Sequence, residues 1–359
     1  MKKILILGGS HSELPLIQEA KKQGLYTISI GNILGNGHLE SDEYHLIDYS
    51  DKELVLEFTK NNNIDYICFG AHDLTITTAT YVNDKLGLLS NLDDYQTTCL
   101  LHHKDKFKIF AKQNNITTTD FIVTDKIIKK VNLNYPLIIK PIDMGGGKGI
   151  SIIEKEVELQ MAIELAMTFS KEKRVIIEEV FEGKLHSLSV FLIDKKINFF
   201  YVDDEYECKN NKFGVCVSLS LAKYFYKVKN QILIEIEKIA NILDLKDGLL
   251  HIQFLQNENQ FSIIEMTRRM PGDLYNLPVE FSTKFKYSKN IINVILNKNI
   301  DLNCEKNKKL ISRYCIIDKN DKILNSSHII KKIKIKNSIK KEILILEYNS
   351  EEEFLKDIY

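Results

Sequence analysis

Residues 250–273 read LHIQFLQNENQFSIIEMTRRMPGD. Two stretches that alternate apolar and polar residues flank the polar triplet Asn257-Glu258-Asn259. Alternation with period two predicts strands, and a short polar turn between them predicts an antiparallel hairpin. The second strand carries Glu265, Thr267 and Arg269 at alternate positions, so the three side chains share one face. Gln253 of the first strand then lies across the hairpin from them. One acid, two neutral oxygen ligands and an arginine on one sheet face suit a hard cation beside a polyphosphate. A polar hairpin face is also the ordinary signature of a solvated sheet, so the rest of the chain has to decide.

Two upstream segments do so. Residues 135–151, YPLIIKPIDMGGGKGIS, form an apolar strand that ends in Lys140 and enters a turn with Gly145, Gly146, Gly147, Lys148 and Gly149. Glycines let backbone N–H groups approach phosphate oxygens with no Cβ in the way, and the lysines add positive charge. No Gly-Lys-Ser/Thr opens a helix after the turn, which excludes a Walker A loop. Residues 174–183, RVIIEEVFEG, are a strand that runs into Glu178, Glu179 and a glycine. That pattern sets backbone groups and one carboxylate where a purine edge can sit, although an ordinary strand end has the same look.

In this order and spacing, with Asp105-Lys106 at the start of a helix, the segments resemble the ATP-grasp superfamily. The similarity covers about residues 1 to 280 and is closest in style to biotin carboxylase, the carbamoyl phosphate synthetase large subunit and the purine-pathway carboxylate ligases. It implies that Lys106 and Lys140 contact ATP phosphates or the adenine edge, and that Met144 to Gly149 close over the phosphates. It implies further that Glu178 accepts from the adenine amino group while the backbone from Glu179 through Val180 to Phe181 reads the ring. Glu265, with Gln253 and Thr267, would hold Mg²⁺, or Mn²⁺ in its place, and Arg269 would steady the transferred phosphate. Lys140, Glu265 and Arg269 are thus the expected catalytic residues. The chemistry implied is activation of a carboxylate by the γ-phosphate and displacement of phosphate by an amine, with positioning and charge neutralisation as the protein's share. Two departures stand out. Many relatives carry an acid where Gln253 stands and an asparagine where Thr267 stands, so weaker metal binding is expected. The acid that often holds ribose after the hinge is missing too, and His186 is the expected replacement.

The 359 residues, with equal numbers of acidic and basic side chains, allow two or three units of ordinary size. The fold expected is mixed α/β and α+β. Residues 1–100 would form a Rossmann-like doubly wound domain, because a strand, a glycine turn, a helix and a strand open the chain. Residues 101–300 would form the two-lobe ATP-grasp module, with a glycine-loop lobe at 101–179 and a metal-binding lobe at 180–300. Residues 301–359 would form a small β-rich C-terminal unit. Polar residues at carboxyl ends of parallel strands face a ligand crevice, which makes Ser10, His11, His72 and Asp73 candidate substrate contacts. Capping and turn roles compete for the same residues. The Pro-Gly turn after the hairpin carries Asp273 towards the same side. Residues 329–336, IIKKIKIK, read as a strand with one wet face, or as a basic patch for an anionic acceptor.

Partners are expected to be a small carboxylate and a small amine. No basic block precedes the C-terminal part, which argues against nucleic acid, and no apolar run can span a bilayer. Six cysteines without CxxC spacing read as reduced thiols in a cytoplasmic protein, and a homodimer is the default assembly. The function expected is an ATP-dependent carboxylate–amine ligase. Two alternatives are a bicarbonate-using carboxylase of the aminoimidazole type and a non-catalytic ATP-binding regulator.

Overall fold

A computed structural model describes residues 1–145, 147–208, 211–220, 222–305 and 309–358. Among these the strands build three sheets. The first contains β1 (Lys3–Leu7), β2 (Tyr26–Ile30), β3 (Glu43–His45) and β4 (Tyr66–Cys68) in the order β3-β2-β1-β4, all parallel. Ile4, Leu5, Ile6 and Leu7 are all buried, as the central strand of a sheet covered on both faces requires. The helix Asp73–Leu86 leaves the end of β4 and stops at Gly87, whose φ of +60° is a left-handed C-cap.

The second sheet contains β5 (Phe121–Thr124), β6 (Leu137–Pro141), β7 (Ser151–Ile153) and β8 (Val175–Glu179), ordered β5-β8-β6-β7 and antiparallel. The helix Lys104–Gln113 precedes it. The third sheet holds eight strands: β9 (Lys184–Ile193), β10 (Lys196–Cys208), β11 (Asn211–Leu219), β12 (Gly248–Gln256), β13 (Phe261–Thr267), β14 (Leu310–Ile316), β15 (Ile329–Lys334) and β16 (Glu342–Tyr348). Its order is β13-β12-β9-β10-β11-β14-β16-β15. The hairpin expected at 250–267 is present, with Gln253 paired to Glu265 and a bulge between Gln253 and Phe254. The C-terminal strands do not form a sheet of their own, because β14 pairs antiparallel with β11. Among the described residues no helix is long and apolar enough to cross a membrane.

One apolar cluster joins the first sheet to the third through the helices Asn276–Thr283 and Tyr287–Ile295. Phe191 of β9 is fully buried there, with ring centroids of Phe285 at 4.9 Å and Tyr287 at 5.3 Å. The expectation of six free thiols is corrected: Cys208 and Cys216 are disulfide-bonded across the β10–β11 hairpin, with Cα atoms 4.9 Å apart. Hairpin register, not sequence spacing, sets that meeting. Cys68, Cys99, Cys304 and Cys315 are free.

Phe191→Ala removes a ring that the cluster cannot refill, so a loss of about 3–5 kcal/mol is expected. Urea denaturation checks this, and Phe191→Leu should lose clearly less.

Candidate active site

The second and third sheets border one cleft of about 1190 Å³, larger than the roughly 300–1,000 Å³ of ordinary small-molecule pockets. At one wall Glu178, at the end of β8, is 3% exposed. One carboxylate oxygen lies 2.8 Å from Lys140 Nζ and the other 2.6 Å from Lys108 Nζ. The Thr119 hydroxyl donates to Glu178 at 2.8 Å, and Lys108 donates to Thr118 and to Thr119. Burial pushes the Glu178 carboxyl up, but the two ammonium groups outweigh it and hold the group well below the usual carboxylate range. Burial likewise lowers Lys108, and Glu178 opposes that.

One expectation is corrected here. Lys106 is exposed and is not among the cleft residues, whereas Lys104 and Lys108 are. The helix buries Phe107, Lys108 and Ala111, so its inward face passes between Lys104 and Lys108 and leaves Lys106 outside. Glu178, expected at the adenine amino group, lines the cleft with each oxygen holding one lysine. The signal for Lys108 was present: positions 104, 108 and 111 share one helix face.

The glycine turn lies at the same wall. Met144, Gly145 and Gly147 line the cleft, and Lys104 Nζ donates to the Met144 carbonyl at 2.7 Å. Gly147 has a φ of +75°, a conformation that glycine adopts without strain. Gly146 lies outside the described residues. Lys148 is exposed, and neither it nor Gly149 lines the cleft. Glu179, Val180 and Phe181 do line it, and the Glu179 carboxylate accepts from the Asn134 backbone and side chain at 2.8 Å each. His186 is a further correction. It is 3% exposed, lies 2.8 Å from Asp204 through Nδ1 and stacks on Phe254. Odd-numbered β9 residues share the face of Gln253, so His186 points through the sheet to the opposite face.

Across the cleft, Glu265, Gln253, Ser187 and Asp203 form one cross-strand row over β13, β12, β9 and β10. Gln253 donates through Nε2 to Glu205 at 2.6 Å. Burial pushes Glu205 up to about 7, with Glu265 contributing, although Arg313 opposes the shift. Asp203 is fully buried and is pushed up by burial and by Glu205, with Ser187 and Tyr275 held at its Oδ1. Thr267 lines the cleft, but its hydroxyl sits 3.1 Å from His102 Nε2 and accepts from the Arg269 N–H at 3.3 Å. Glu265, Glu205 and the Gln253 amide make a hard oxygen donor set that fits Mg²⁺ or Mn²⁺. Among the described residues no group of three or more His, Cys, Asp or Glu side chains is placed to hold a metal ion.

At the far end Arg269, two residues past β13, donates through Nε to Asp73 Oδ1 at 2.8 Å, at the start of the helix Asp73–Leu86. Burial raises the Asp73 carboxyl, but Arg269 and His102 hold it well below its ordinary value. Asp273 faces the cleft with φ of +57°. It pairs with Lys340 and lies 3.4 Å from His11 Nε2. Ser10, His11, His72 and Asp73 are not among the cleft residues. Ser10 donates its N–H and hydroxyl to Glu13, and His72 accepts from the Leu74 N–H as a helix cap. Sequence reasoning missed Arg313 and Lys340, which both line the cleft. Arg313 is 4% exposed, donates to the Gly272 carbonyl at 3.1 Å and leaves Nε without a partner. They come from β14 and the turn before β16, and no local pattern marks a residue that reaches the site through sheet extension.

The fold is that of the ATP-grasp proteins. Residues 103–276 match the family described as the D-ala D-ala ligase C-terminus. Over 187 residues the chain is 31% identical to a formate-dependent phosphoribosylglycinamide formyltransferase from Prochlorococcus marinus subsp. pastoris, covering 50% of this chain and 47% of that one. Over 195 residues it is 28% identical to a D-alanine--D-alanine ligase from Helicobacter pylori, covering 50% and 54%. The chain thus spans about half the length of the curated relatives it matches. The structure of N5-carboxyaminoimidazole synthetase from Staphylococcus aureus complexed with ADP superposes with a TM-score of 0.81 at 18% identity, over 100% of this chain and 96% of that one.

Glu178→Gln leaves two lysines facing a neutral amide, and a loss of about 3–5 kcal/mol is expected at pH 7. The folded carboxyl titrates below its unfolded value of about 4.3. Its contribution is therefore complete above that value and lost as pH falls through the folded pKa. Denaturation from pH 7 to 3 should show the gap between wild type and variant closing only at the acid end.

Proposed function

We propose that this protein is an ATP-dependent carboxylate–amine ligase acting on small molecules through an acyl phosphate, with release of ADP and phosphate. The observation that carries the reading is the pairing of Glu178 with two lysines at the cleft wall. Two cations against one buried carboxylate leave an excess positive charge where the glycine turn also arrives, and a polyphosphate answers it. Val180 to Gly183, with Ile138 and Leu255, offer an apolar slot for the base. Lys140 and Lys104 would hold phosphate oxygens, while Glu265 and its neighbours would hold Mg²⁺, or Mn²⁺ in its place. That cation supplies charge neutralisation on the transferred group. Arg269, fixed by Asp73 and by Thr267, would meet the charge that develops on the phosphoryl and acyl oxygens. Arg313, Lys340 and Asp273 stand beyond it, where the carboxylate and the amine would meet. Residues 1–100 would form the domain that closes the acceptor side, 101–300 the nucleotide-binding module and 301–359 the wall bearing Arg313 and Lys340.

Phosphate release from Mg-ATP should require one particular carboxylate with one particular amine, tested singly and in pairs. Arg269→Ala should lower kcat roughly 100-fold or more, and Lys140→Ala should raise the KM for ATP. ATP binding without release under any pairing would overturn the ligase reading.

A further inference from the structure

The cross-strand row of the large sheet brings the Gln253 amide and Glu265 side by side into the cleft. A divalent cation on a triphosphate prefers carboxylate oxygens, yet in the row Glu265 stands opposite the neutral Gln253. The next member, Ser187, is neutral, and Asp203 has one oxygen tied to Ser187 and Tyr275 and does not line the cleft. Glu205 lies two residues beyond Asp203 on β10, hence on the same face. It is 7% exposed, lines the same cleft as Gln253 and Glu265, and is held by the Gln253 amide at 2.6 Å. The Gln253 amide thereby fixes the orientation of the carboxylate towards the cleft. Glu207 also lines the cleft, but it is exposed.

We propose that Glu205 supplies the second carboxylate of the divalent-cation site, and that Gln253 is the positioning residue that aims it. The acid has in effect moved from β12 to β10, across the width of β9. This rests on the ATP-dependent reading of the cleft. It gives the strand β10, together with β13 and its Glu265, a direct part in metal binding.

The test is Mn²⁺ binding to the full chain with saturating non-hydrolysable ATP analogue, read by electron paramagnetic resonance, with melting temperature as a check on folding. Wild type should bind and Glu265→Gln should not. Glu205→Gln should weaken Mn²⁺ about tenfold or more. The exchange Glu205→Gln with Gln253→Glu keeps the same pair of groups and returns the acid to β12, so it should restore affinity to within about threefold. Unchanged binding in Glu205→Gln overturns the proposal. So does a folded exchange variant that fails to recover. Absence of Mn²⁺ binding in wild type with nucleotide would instead overturn the reading of the cleft on which the proposal stands.

Discussion

Glu178 between Lys108 and Lys140 is the interaction around which the cleft is organised. Removing charged groups from water costs several kcal/mol per ion, and mutual attraction offsets this only with good geometry and further hydrogen bonds. Thr118 and Thr119 supply those bonds. The arrangement fastens the helix Lys104–Gln113 to β6 and β8, because its three charges come from those elements. It also fixes where the glycine turn starts, since Lys104 of the same helix holds the Met144 carbonyl.

A second constraint runs along the large sheet. Its polar row can face the cleft only because β9 and β12 bury their other faces in an apolar cluster with Leu188, Val190, Ile252 and Phe254. Period two then leaves no freedom: a residue is either in the row or behind the sheet. The turn after β13 adds local strain, because Asp273 and Leu274 both hold left-handed φ values, +57° and +56°. Such residues cost on the order of 1–3 kcal/mol each and persist where surroundings over-determine them. Here Ser12, Lys340 and the Arg313 contact to the Gly272 carbonyl do so.

Much of this was legible in the sequence. The β12–β13 hairpin, the parallel opening sheet and the glycine turn follow from local alternation and turn chemistry, and Gln253 does face Glu265. Failures occurred where phase or distance decides. Lys106, expected from the Asp105-Lys106 pair, and Lys108 differ by two residues, about 200° around a helix. His186 was misplaced by one strand position. Ser10 and His72 sit at strand ends as expected, but their polar atoms are used by Glu13 and by a helix N-terminus. Glu205, Arg313 and Lys340 reach the cleft through pairings that only the assembled sheet creates.

The alternation of isoleucine and lysine in β15 has a different meaning from the basic patch for an anionic acceptor that it suggests in sequence. β15 is the outermost strand of an eight-stranded sheet. Lys331, Lys332 and Lys334 are exposed, and its register to β16 slips between Ile329 and Lys331. Unpaired backbone at such an edge is a template for another chain, and charged side chains and bulges blunt it. The opposite edge, β13, meets the Thr117 segment, whose carbonyl accepts from the Ile263 N–H. One edge is therefore covered by the chain itself and the other is guarded by charge. Neutralising the β15 lysines would open a path to sheet-to-sheet aggregation while leaving the cleft untouched.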